Sequence, residues 1–120
     1  MPRFVLLHHE CPPSLGKPSH WDLMLERDSV LLTWNLLQLP IAWGGDAEAI
    51  EATRIADHRI AYLDYEGPVS GNRGIVTRVD RGEYEVLSEA DDAIDVRLRG
   101  EQSQITITAR LPLQQQMPPR

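Results

Sequence analysis

Apolar and polar residues alternate with a period of two along much of the chain, the pattern of strands that bury one face. Residues 3–9, "RFVLLHH", form a short apolar run suited to a buried strand and end in two histidines, which alternation sends to opposite faces, one of them inward. "ECPPSLGKPS" follows, with three prolines, a glycine and two serines, and reads as a loop. "HWDLMLE" and "SVLLTWNL" then flank Arg27-Asp28, which predicts a hairpin whose turn lacks glycine. Within "HWDLML" the same alternation places His20, Asp22 and Met24 on one face and Leu23 and Leu25 on the other.

"PIAWGG" interrupts the pattern, and "DAEAIEATR" predicts a short helix capped by Asp46. "RIADHRIAYLDYEGPVSGNRG" has no helix-length period and predicts short extended pieces joined by turns, the kind of segment that often carries sites. "GIVTRVD", "GEYEVLSE", "AIDVRLRG" and "SQITITARL" alternate between turn residues and predict four consecutive antiparallel strands, a meander over the last 40 residues. About seven or eight strands and one short helix in so short a chain are best accommodated by a small closed or nearly closed antiparallel β-barrel, because closure removes exposed strand edges. A two-sheet sandwich is the alternative. One mainly β domain is expected over residues 1–113, with "QQQMPPR" at 114–120 as a flexible C-terminal tail.

Composition narrows the function classes. With 120 residues, 42% of them hydrophobic, the chain suits one core. Its opening has four consecutive apolar residues before the two histidines and no small-residue cleavage site, so neither a secretion signal nor a membrane span is expected and the location should be cytoplasmic. Cys11 is the single cysteine, which excludes an internal disulfide and a multi-cysteine zinc site; a metal would rely on histidine and carboxylate. The net charge of −6 argues against nucleic-acid binding by general electrostatics, though not against local grip on one strand end. Five arginines, Arg54, Arg59, Arg73, Arg78 and Arg81, fall within 28 residues, and Lys17 is the sole lysine. Ordinary solvated arginines would look the same.

Candidate chemistry centres on the histidines. His20 and Asp22 share a face, His8 or His9 ends the preceding strand, and His58 lies in "ADHRIAYLDYEG". A divalent cation needs ligands converging from rigid elements, and H-x-D on a strand supplies two at once. A solvent-facing pair on an edge strand has the same signature. The facial triad of non-haem iron oxygenases is a pattern-level competitor through His20, Asp22 and His58. The chain is short for that fold, and no late arginine-serine pair is present to hold an oxoacid co-substrate.

"ADHRIAYLDYEG" resembles the D-H-x-x-x-Y-x-D-[FY]-E-G stretch of the 3'-phosphoesterase domain of bacterial DNA ligase D, through Asp57, His58, Tyr62, Asp64, Tyr65, Glu66 and Gly67. The family's strand into a histidine, loop, and H-[YW]-D-x-R-L-E are similar to "FVLLHH" leading to "HWDLMLE"; "SVLLTW" and "GIVTRVDRGEYEVL" extend the likeness, which continues weakly through "RLRGEQSQITITARL". It spans nearly the whole chain, as a stand-alone version of the domain would. The resemblance implies an antiparallel β-barrel holding manganese, or another divalent transition metal, in a crescent-shaped groove. Its metal ligands map onto His9, His20 and Asp22, with His9 preferred to His8 by its distance from Phe4. Its phosphate-handling histidine and tyrosine map onto His58 and Tyr62.

The implied activity is removal of a 3'-terminal ribonucleoside and then of the phosphate left behind, in DNA repair, with a separate DNA ligase or polymerase as partner and no membrane. Departures are specific. The family's phosphate-contacting arginine is Met24 here, the loop between His9 and His20 is longer and contains Lys17, and the turn after E-G is replaced by "PVSGNRG", where Arg73 is the candidate to reach phosphate. The expectation is a metal-dependent phosphoesterase on 3' ends of DNA or RNA-containing strands. The alternative is a divergent relative that keeps the metal pocket for another phosphorylated ligand, or a non-catalytic subunit of a repair complex.

Overall fold

A computed structural model describes residues 1–115. Its strands are β1 (Arg3–Glu10), β2 (His20–Arg27), β3 (Val30–Leu36), β4 (Thr53–Arg59), β5 (Gly67–Pro68), β6 (Ile75–Glu89), β7 (Ala93–Gly100) and β8 (Thr106–Pro112). They form one antiparallel sheet in the order β4-β3-β2-β1-β6-β7-β8, with β5 paired to β6. The strip curls into a half-barrel whose two edges approach each other: Arg54 on β4 bridges Gln115, and its Nη1 donates to the Leu113 carbonyl at 3.0 Å. The expected mainly β, nearly closed architecture is therefore observed. No helix among the described residues is long and apolar enough to cross a membrane.

The concave face holds the main core. Phe4, Leu6, Leu23, Leu25, Trp34 and Leu36 from β1–β3 pack against Tyr84, Ile94, Val96, Leu98 and Leu111 from β6–β8. Full burial of each such side chain is worth about 1.5–3 kcal/mol. Two polar tips tie the wall together, Trp34 Nε1 donating to the Pro112 carbonyl at 2.6 Å and the Tyr84 hydroxyl to the Glu26 carbonyl at 2.8 Å. The opposite face of β1–β3 carries a second cluster of Val5, Leu7, Met24 and Leu31, with Leu63 and Val76. Burial on both faces explains why "FVLL" is a continuous apolar run.

The β2–β3 turn works without glycine because Asp28 and Ser29 both take left-handed conformations, with φ of 51° and 71°, as a two-residue hairpin turn requires. Two other expectations are corrected. The helix capped by Asp46 does not form: a 3-10 turn spans Ile41–Trp43, and the chain then runs irregularly to β4, with Ala47 bridged to Pro40. Nine residues are too few to propagate a helix unaided. Ile50 and Ala52 instead pack on the core at a spacing of two, which suits extended chain. The meander has three long strands rather than four, since "GIVTRVD" and "GEYEVLSE" join as β6.

Arg81-Gly82 lies inside β6, where the strand passes from β1, paired to residues 75–83, to β7, paired to residues 82–89. Val79 is the extra residue where the β1 register shifts, and a Cβ at Gly82 would strike the Arg99 carbonyl. Of the expected tail, residues 116–120 lie outside those described.

Candidate metal and phosphate site

Pairing of β1 with β2 sets His9 opposite His20, Leu7 opposite Asp22 and Val5 opposite Met24. Directly paired residues point to the same side of a sheet, so the two imidazoles and the carboxylate meet on the outer face of the half-barrel. The His9 and His20 rings lie 4.8 Å apart at 61°. Asp22 Oδ2 is 3.8 Å from His9 Nδ1, and Asp22 Oδ1 is 3.3 Å from His20 Nε2. His8 faces the other way, stacked on Trp21 at 5.0 Å.

Backbone carbonyls set the tautomers. A carbonyl only accepts, so His9 Nε2, at 2.6 Å from the Arg73 oxygen, and His20 Nδ1, at 3.1 Å from the Pro18 oxygen, carry the hydrogens. In the neutral rings the lone pairs of His9 Nδ1 and His20 Nε2 are then turned toward Asp22. His20 and Asp22 are each only 3% exposed, and Asp22 Oδ1 has no hydrogen-bond partner. A proton on His20 Nε2 or a cation lodged among the three groups would satisfy that oxygen.

The protonation behaviour agrees. Burial acts to raise the Asp22 carboxyl, but His20 and His9, with the charge of His58 beyond them, outweigh it and hold it at about 2. Burial likewise acts to lower His20, and Asp22 overcomes that to raise it above 6.5.

Cys11 adds a donor that sequence reasoning left out. Ligand-capable atoms of His9, Cys11 and His20 lie within 4.8 Å of one another. Cys11 Sγ, however, is 3.8 Å from His20 Nδ1, the nitrogen already engaged by Pro18, so the thiol backs the edge of the ring away from Asp22. Burial raises its pKa, which disfavours the thiolate a metal would need.

His58 reaches the same face through an irregularity in β4. Thr33 pairs with Ile55 and Leu31 with His58, so one extra residue sits on β4 between them. Without it, residues three apart would point oppositely; with it, Ile55 and His58 both face the groove. His58 Nδ1 donates to the Ala56 carbonyl at 3.0 Å, which leaves Nε2 free. The 3-10 turn at Ile60–Leu63, anchored by buried Leu63, brings the Tyr62 ring to 5.7 Å from His58. Arg73 lies in the turn before β6, its guanidinium bonded to the Ser70 carbonyl at 2.6 Å and hydroxyl at 3.1 Å.

A groove of about 500 Å³ is lined by His9, His20, Asp22, His58, Tyr62 and Arg73, so all six sequence candidates meet there. Asn35, the cross-strand partner of Asp22, also lines it and was missed; its signal was a polar residue in phase with Thr33 on an otherwise apolar strand. Lys17 and Arg59 contribute cations to the wall. The lining carboxylates are Asp22 and Asp57, and Asp57 is paired with Arg54 at 2.7 Å. The groove is thus cationic at its rim on a chain of net charge −6. Met24, at the position of the expected arginine, is 1% exposed and packs among the outer apolar cluster at the groove's floor.

A search of curated proteins finds no match. The family model of the DNA ligase D 3'-phosphoesterase domain matches residues 9–110, which takes in β2 through β7, the loop carrying Lys17 and every groove residue named above. With the likeness extending from His9 almost to the end of β8, the chain belongs to the DNA ligase D 3'-phosphoesterase domain family.

Proposed function

We propose that the protein is a metal-dependent 3'-phosphoesterase that trims and dephosphorylates 3' ends of DNA or of RNA-containing primer strands. One observation supports the metal dependence: the buried Asp22 carboxylate, with Oδ1 unpartnered, faces two imidazoles whose other nitrogens are already held by backbone carbonyls. Two borderline nitrogens and one hard oxygen suit a divalent transition metal, with manganese the candidate, held by His9 Nδ1, His20 Nε2 and Asp22. Such an ion, when bound, supplies positive charge beside a phosphate oxygen.

The remaining work falls to side chains of the wall. His58, oriented by Ala56, in its imidazolium form presents Nε2–H to donate to a non-bridging oxygen or to protonate the leaving oxygen. Tyr62 orients the phosphate through its hydroxyl, and Lys17 and Arg73 offset its charge from the rim. The healed 3'-hydroxyl would pass to a separate ligase or polymerase in the cytoplasm.

The test is manganese-dependent hydrolysis of a primer-template that carries a 3'-phosphate or one 3'-terminal ribonucleotide, with His20→Ala and His58→Ala beside the native protein. Product is expected from the native protein and from neither variant. A second reading, a divergent member serving another phosphorylated ligand or acting as a non-catalytic repair subunit, draws on Met24, an apolar side chain where the family binds phosphate with arginine. Absence of native product while manganese still binds through His20 and Asp22 would favour it.

A further inference from the structure

The groove continues past Tyr62. A second cavity of about 210 Å³ shares Arg59 and Tyr62 with it and is completed by Ala61, Tyr65, Pro68 and Ser70. The Tyr65 ring stands perpendicular to that of Tyr62, at 87° and 5.7 Å. Its hydroxyl donates to the Pro68 carbonyl, which pins the ring while leaving the residue 37% exposed.

Arg59 stands where the two cavities meet. Within the arginine cluster, Arg54 is paired with Asp57, Arg78 with Glu66, and Arg81 with Asp64 and Glu101, while Arg73 is bonded into its own turn. Arg59 is exposed and forms no ion pair among the described residues. A cation without a carboxylate, beside an immobilised aromatic ring and one residue from His58, is equipped for a phosphate followed by a flat ring.

We propose that this cavity is a nucleotide subsite: the base on the 5' side of the reacting end stacks on Tyr65, and Arg59 holds the phosphate linking it to the terminal nucleotide. The inference rests on the reading that the reacting 3' phosphate lies at His58 and Tyr62. Every base has a π face, so the subsite discriminates by strand length and not by sequence.

The test compares a nucleoside 3'-phosphate with a single-stranded pentanucleotide 3'-phosphate, by hydrolysis and, in the presence of a chelator, by anisotropy of a labelled pentanucleotide. Loss of one base stack or one phosphate contact weakens binding by about 10-fold or more. Arg59→Ala and Tyr65→Leu are therefore each expected to raise the Kd of the pentanucleotide by about that factor and to shrink its KM advantage over the mononucleotide, while Tyr65→Phe retains both. Arg59→Ala should also flatten the salt dependence of binding. Unchanged pentanucleotide affinity in both Arg59→Ala and Tyr65→Leu, or equal losses for the two substrate lengths, would overturn the subsite. Failure of the native protein to hydrolyse either substrate would count against the phosphoesterase reading instead, and the anisotropy arm would still decide the subsite.

Discussion

At Asp22, burial and charge pull in opposite directions, and the balance can be read in solution. Its carboxyl sits at about 2 in the folded protein against 3.8 ordinarily, so the stability it contributes is full above pH 3.8 and is lost as pH falls toward 2. His20 has the opposite sign: its pKa is raised above 6.5, so its contribution is full below pH 6.5 and disappears as pH rises through the raised value. Chelator-treated protein should therefore be most stable in between, and Asp22→Asn should flatten both limbs, the acid limb by about 2 kcal/mol. Urea unfolding over a pH series checks this; an unaltered profile in Asp22→Asn would refute the pairing.

The same proton on His20 competes with metal. Manganese affinity, measured by titration calorimetry, is expected to fall as pH drops through the raised His20 value, by about tenfold for each proton displaced per pH unit. Indifference to pH would exclude the histidines as ligands. Met24 is the other decisive residue. Met24→Arg places a cation at the groove floor, and 3'-phosphatase activity should rise by about 10-fold for one added charge-assisted contact. The variant should also melt several degrees lower, because the new charge enters the cluster of Val5, Leu7 and Leu31. Lower activity in a variant still folded at the assay temperature would show that Met24 is not a weakened phosphate position.

Among the elements, the β2–β3 hairpin was legible because each strand buries a defined face, so a period of two is stamped on "HWDLML" and "SVLLTW". Its turn carries residual strain: Ser29, at φ 71°, occupies a position that glycine takes without cost. Ser29→Gly should raise stability by about 0.5–1 kcal/mol in thermal unfolding, and a loss would mean that the Ser29 side chain has a partner role. Other elements resisted reading. The extra residue on β4 that turns His58 to the groove leaves no mark in the local pattern, because either face of an edge strand can carry polar residues. Arg81-Gly82 looks like a turn, yet β6 runs through it, since it changes partners there instead of reversing. The stretch after Asp46 has helix-forming residues without a helical apolar face, and the core captured Ile50 and Ala52 as extended chain.

At the scale of the whole molecule, net charge and local field part company. A chain with charge −6 lines its groove with Lys17, Arg59 and Arg73, because pairing with partners distant in sequence neutralises other arginines and most carboxylates lie away from it. The alternation along β1, β2 and β3, and with it the shared face of His20 and Asp22, follows from the chain alone, because strand alternation is a property of the backbone over a few residues. The motif "ADHRIAYLDYEG" likewise pointed to the family before any fold was known. Which histidine joins His20, how His58 is aimed, how nearly the half-barrel closes, and the cavity between Arg59 and Tyr65 were decided only in three dimensions. Each depends on register between strands far apart in sequence, and register is set by which long-range pairing buries both apolar faces at once.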